Sequence, residues 1–217
     1  MNKSAAAMAN IQPSASMTAR PEQTRQDARP ASRPDLLVGK AHGKDVAANG
    51  MVMGIAAIAW FGWAHQAEMA ALQVPLAFGM AAGLALGIVC FTARRRLGGQ
   101  SVHETNTKRA NTVYYAAVGF EVVFAFGGAI TLGKLEHPEY IIAWIMAVMG
   151  IHFLPLARLY RIRELTLTGA LCIVAGAVGA ITGLTGFLAP AVIAGVGGGA
   201  VLLATGIVCA ARLRRAW

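Results

Sequence analysis

The sequence predicts an all-α fold: a polytopic membrane helix bundle of six transmembrane helices paired as three hairpins, preceded by a disordered tail. Three observations carry that prediction. Hydrophobic residues make up 56% of the 217 positions and charged residues only 13%. The charges gather almost wholly outside a few long apolar runs, a distribution that belongs to a bilayer protein and not to a globular core. Windows of about 20 residues, the length that crosses a roughly 30 Å hydrocarbon layer, pick out spans at 49–65, 74–93, 111–132, 139–157, 165–183 and 187–210. The connections between them, ending with the tight Leu184-Thr185-Gly186 turn, are all short enough for hairpins.

The tail, residues 1–48, is rich in Ala, Ser, Pro, Arg, Asp and Gln and shows no apolar period, so disorder is expected there. It contains neither the continuous apolar core of a secretory signal nor a paired-arginine export motif, which leaves the first span to direct insertion. Lys and Arg fall seven before residue 49, five between the second and third spans, three between the fourth and fifth, and three after the sixth. Only Lys134 lies on the other side. The positive-inside rule then places both termini and the two basic loops in the cytoplasm of a multi-pass protein of the cell's inner (plasma) membrane. A formal charge of +9 would suggest nucleic acid in a soluble protein. Here Arg94-Arg95-Arg96 and Arg212, Arg214 and Arg215 read as topology anchors beside anionic lipid heads. The bilayer is the expected partner and nucleic acid is not.

Within the spans, glycines recur at steps that bring helix backbones close, a device that replaces the missing hydrophobic drive between helices in lipid. Gly79, Gly83 and Gly87 line the second span, Gly176, Gly179 and Gly183 the fifth, and Gly195 and Gly199 the sixth. Packing within the chain is one reading of these faces, and a homo-oligomer or a membrane-protein partner is the other. Trp60, Trp63, Tyr140 and Trp144 read as an aromatic belt at the outer interface. Cys90, Cys172 and Cys209 lack metal or redox spacing and read as packing residues.

One acid stands alone inside an apolar span. Glu121 lies in the middle of the run 114–126, where an intramembrane carboxylate costs roughly 2.5 to 3.5 kcal/mol on insertion scales and so must face the interior, find a partner or hold a proton. Asn111, Tyr114, Val118, Glu121, Ala125 and Gly128 recur at steps of three and four, so they share one helix face, polar below and small above. In the fourth span, Gly150-Ile151-His152-Phe153-Leu154-Pro155-Leu156-Ala157 joins an ionisable residue to a kink-forming proline. Pro155 cannot bond to the carbonyl of Ile151, so a bend is expected beside His152. Two readings stand for each ionisable residue: a hydrogen-bonded structural group, with His152 donating locally into the gap left by Pro155, or a proton or ligand site. Rising 1.5 Å per residue, Glu121 lies about 15 Å above Asn111 and His152 about 9 Å above Arg158, a depth mismatch of roughly 6 Å. Direct contact between the two would then need helix tilt or a bridging water.

The function classes that the sequence argues against are several. No serine occurs in any span, which removes an intramembrane serine protease. There is no His-Glu-x-x-His and no nucleotide-binding Gly-x-x-x-x-Gly-Lys-Ser/Thr loop. His65 and His137, although near acids, read as loop residues and not metal ligands. No two histidines sit at matching depth for a haem. The sequence thus names no catalytic residue, no metal and no cofactor. The segment 150–157 resembles a Gly-x-His-Phe-x-Pro-x-Ala motif of small bacterial integral membrane proteins of uncharacterised function; that resemblance implies a shared feature at His152 and Pro155 and brings no substrate. The expected role is binding or moving a small ligand or protons through Glu121 and His152, with Tyr114 and Asn111 lining the approach. The alternative is a non-catalytic scaffold or accessory subunit packed through its glycine faces.

Overall fold

A computed structural model describes residues 33–67, 69–97, 108–160 and 162–215. Its regular structure there is entirely helical: α1 (Arg33–His65), α2 (Ala70–Arg96), α3 (Lys108–Lys134), a 3-10 turn at Pro138–Tyr140 leading into α4 (Ile141–Tyr160), α5 (Arg163–Leu184) and α6 (Pro190–Arg215). Six helices are long and apolar enough to cross a membrane, which makes this a multi-pass membrane architecture. Of the expected disordered tail, residues 1–32 lie outside the described residues, whereas 33–48 are helical and extend α1 well ahead of position 49. Hydropathy hides this extension because Lys44 and Asp45 depress any window that includes them, although neither breaks a helix.

Helices adjacent in sequence pack side by side at α1–α2, α3–α4, α4–α5 and α5–α6. The larger assembly is centred on α6, which packs against α1, α2, α4 and α5. By contrast, α3 packs extensively on α4 alone, and Ala117 is its one buried hydrophobic residue among those described. The core runs through Met53, Trp60, Met146, Leu165, Cys172 and Leu202. The cysteines are free and buried within it.

Glycine sets the two tightest crossings. A Cβ on Gly54 would stand 2.6 Å from the carbonyl oxygen of Gly83, and one on Gly83 would stand 2.7 Å from that of Gly54, so α1 and α2 meet backbone to backbone. Gly150 and Gly169 do the same for α4 and α5, each at 2.6 Å from the other's carbonyl. The glycine faces of the second, fifth and sixth spans are therefore occupied by helices of this same chain, through contacts that only small residues permit. Gly150, the first residue of the motif at 150–157, belongs to this packing.

Trp60 departs from the expected belt. Trp60 is 3% exposed and packs against the α6 glycines. Trp144 turns onto α3, stacked against Gly128, and its indole Nε1 donates to the carbonyl of Phe124 at 2.8 Å. The small upper half of the α3 face, Ala125 and Gly128, is thus the seat of a tryptophan.

Candidate functional site

Below that tryptophan, α1 and the α3–α4 pair diverge and leave a half-enclosed cavity of about 340 Å³ near one end of the bundle. Four helices form its wall. From α1 come Asp45, Ala48, Asn49, Val52 and Met53, spaced so that they share one face. From α3 come Tyr114, Val118 and Glu121, again at helical spacing, and from α4 come His152, Phe153 and Leu156. The end of α2 contributes Arg94. The wall is mostly apolar with a few converging polar groups, the composition of small-molecule sites.

His152 is 7% exposed, and its partners lie across the helix interface. Nδ1 sits 3.0 Å from the carbonyl oxygen of Ala117 and 3.4 Å from Oε2 of Glu121. A carbonyl can only accept, so Nδ1 carries the hydrogen and donates it to Ala117; the remaining ring nitrogen, Nε2, is the one left to take up or release a proton. The same N–H lies within ion-pair reach of Glu121, whose side chain is 31% exposed. The imidazole and the carboxylate thus stand side by side on the cavity wall.

This geometry corrects two expectations. The depth mismatch vanishes because the helices are joined at the 134–138 hairpin, and the hairpin sets their register. Counted from there at 1.5 Å per residue, Glu121 and His152 both lie about 20 Å away; counting from the basic residues at the opposite, untied ends misplaced them. Nor does His152 donate into the gap made by Pro155. Its hydrogen bond ties α4 to α3 instead, while α4 runs on through Pro155 to Tyr160.

Of the sequence-named residues, Tyr114, Glu121 and His152 share the cavity, Pro155 lies in α4 one residue short of the wall residue Leu156, and Asn111 is exposed and forms no part of the wall. Three wall residues escaped the sequence reading. Asp45, 7% exposed, falls in the tail by hydropathy, Arg94 in a run of topology anchors, and Asn49 at the first position of a span. The spacing of Asp45, Asn49 and Val52 was a usable signal, since it continues the apolar face of α1 with polar groups. Asn49 also points toward α6, its amide 3.7 Å from the sulfur of Cys209.

No group of three or more potential metal ligands occurs among the described residues. Comparisons of the chain with family models, with curated proteins and with solved structures return no match.

Proposed function

We propose that this multi-pass membrane protein binds a small solute in the cavity between α1 and the α3–α4 pair, and that the Glu121–His152 pair links that binding to protonation. The observation that carries the reading is the 3.4 Å approach of Glu121 to a tautomer-locked His152 on the wall of a cavity large enough for a small molecule. Ionisable residues inside a span are costly, and their usual return is a proton or ligand pathway. Asp45 from α1, Arg94 from α2 and Tyr114 from α3 share the cavity wall with the pair. Under the orientation that places both termini in the cytoplasm of the inner membrane, the cavity opens on the cytoplasmic side, because its wall includes the ends of helices that carry the basic residues. Trp144 lies on α3 beyond Glu121, its indole against Gly128. The scaffold reading draws less support, since the glycine faces on which it rests are filled from within the chain.

The test is the titration of His152 followed by nitrogen NMR of the full chain labelled with [15N]histidine, with and without Glu121→Gln. A proton-linked pair gives a His152 midpoint that differs between the two proteins, because the neighbouring carboxylate acts on the imidazole. A midpoint identical in both proteins sinks the proton-linked reading.

A further inference from the structure

The arginines at the basic end of the bundle differ in their surroundings. Arg94 turns onto the cavity wall, the Arg95 guanidinium lies 4.7 Å from the centroid of the Phe91 ring, and Arg212 pairs with Glu164. Arg96 and Arg214 stand apart from these. Both are exposed, they come from two helices that pack together, and both line one groove of about 210 Å³ between the ends of α2 and α6. Neither enters an ion pair among the described residues, and no acid lines the groove. Two positive charges on one groove repel each other, and an anion seated there offsets both.

Past the arginines the groove is apolar. Ala93, Ala210 and Leu213 are half-buried or buried and form its floor, while Val89 and Thr92 are exposed along its α2 flank. The Thr92 hydroxyl donates to the carbonyl of Val89 at 2.9 Å, so its one hydrogen is already used within the helix. Counted at 1.5 Å per residue, Val89 lies about 10 Å further into the span than Arg96. The groove thus runs from a cationic end at the helix termini into an exposed apolar stretch of a spanning helix, the same order of groups as a charged headgroup and its chain.

We infer that this groove seats one anionic phospholipid, its phosphodiester held by Arg96 and Arg214 and the first part of an acyl chain lying along Val89 and Leu213. Guanidinium groups match phosphate oxygens through paired, charge-assisted N–H···O bonds, and basic pockets between spanning helices suit anionic headgroups. A soluble phosphate would answer the arginines and leave the apolar flank bare. A zwitterionic lipid would cover the flank and bring no net charge to the arginines. An anionic lipid does both. The groove shares no residue with the cavity that holds Glu121 and His152, so the two sites stand or fall separately.

The test uses the purified full chain in maltoside micelles, with thermal melts followed by intrinsic fluorescence. Phosphatidylglycerol added to the micelles should raise the melting midpoint in a saturable manner, whereas phosphatidylcholine and glycerol phosphate should not. Arg96→Gln and Arg214→Gln should each weaken the apparent affinity by about fivefold, the share of one arginine at an anionic lipid surface, while Arg95→Gln leaves it within about twofold. A lipid-free midpoint equal to that of the native chain shows that a variant is folded. If either groove variant is misfolded, phenylglyoxal modification of the native chain decides instead: phosphatidylglycerol should protect Arg96 and Arg214 and leave Arg95 reactive, and equal protection of all three overturns the proposal. It is also overturned if phosphatidylcholine stabilises as well as phosphatidylglycerol, if the affinity survives both groove substitutions, or if glycerol phosphate reproduces the shift, which would make the ligand a soluble anion. A loss in Arg95→Gln as large as in Arg96→Gln would likewise overturn it, since a diffuse basic surface and no defined groove would then hold the lipid.

Discussion

Glu121 meets His152 across α3 and α4, and Glu164 meets Arg212 across α5 and α6, so two acid–base pairs tie neighbouring helices in this bundle. Their surroundings differ. Glu164 lies in the first turn of α5 and Arg212 near the end of α6, where the helix dipoles favour an acid and a base respectively. Further in, Thr168 and Thr205, 1% and 8% exposed, share a 2.6 Å hydrogen bond in which one hydroxyl donates to the other, and the accepting hydroxyl donates in turn to a carbonyl of its own helix, Glu164 or Val201. That seam has every feature of a structural lock. The Glu121–His152 pair has none of the dipole support, sits mid-helix, and faces a cavity where the seam faces another helix. A glutamate beside a base thus joins two helices in both places, and the packing of the adjoining helices decides whether the pair also lines a cavity. α6 packs against α1, α2, α4 and α5, whereas α3 leans on α4 alone.

If the seam is a lock, breaking it should cost more than disturbing the cavity. Arg212→Ala leaves Glu164 half-enclosed without its partner, with Oε2 already lacking one. Removing one member of a fully buried pair costs several kcal/mol; with Arg212 49% exposed, about 2 kcal/mol is the expected loss. Chemical unfolding in mixed micelles measures it, and the double variant with Glu164→Gln should recover part of the loss. A smaller loss than that of Glu121→Gln would invert the comparison. Thr168→Val sharpens it further. It deletes the interhelical hydroxyl bond while keeping the shape, and interhelical hydrogen bonds in membranes are worth on average about 0.6 kcal/mol. The same unfolding assay should show a loss of that size with the His152 titration unchanged.

How far the sequence could be read follows from the same contrast. The six spans were legible because apolar length is a direct physical requirement of the bilayer, and the shared face of Tyr114, Val118 and Glu121 was legible because helical periodicity is local. What crosses between helices was not. The register of α3 against α4 depends on where the hairpin pins them, and Trp144 fills a space on α3 that the sequence of α3 presents only as Ala125 and Gly128. Asp45 was hidden for a different reason. Hydropathy locates where a helix enters lipid, not where the helix begins, so the polar turns that extend α1 into the cavity wall looked like tail. Arg94 shows the limit most sharply, since its neighbours Arg95 and Arg96 are chemically identical and only the rotation of the α2 terminus distinguishes them.

Asn111 provides the finest test of that limit. By periodicity it belongs with Tyr114 and Glu121, one turn below them; in the structure it is exposed and absent from the cavity wall. Periodicity assigns a residue to a face, yet a face extends beyond the partner that covers it, and Asn111 lies past the end of the wall. Exposed substitutions away from caps and buried networks change stability by no more than about 0.5 kcal/mol. Asn111→Ala should therefore leave the unfolding free energy within that margin and leave the His152 midpoint in place, whereas Glu121→Gln moves it. An Asn111→Ala variant that displaced the His152 titration would mean that the cavity reaches further along α3 than its wall residues indicate, and that the helix face, not the four-helix enclosure, is the functional unit.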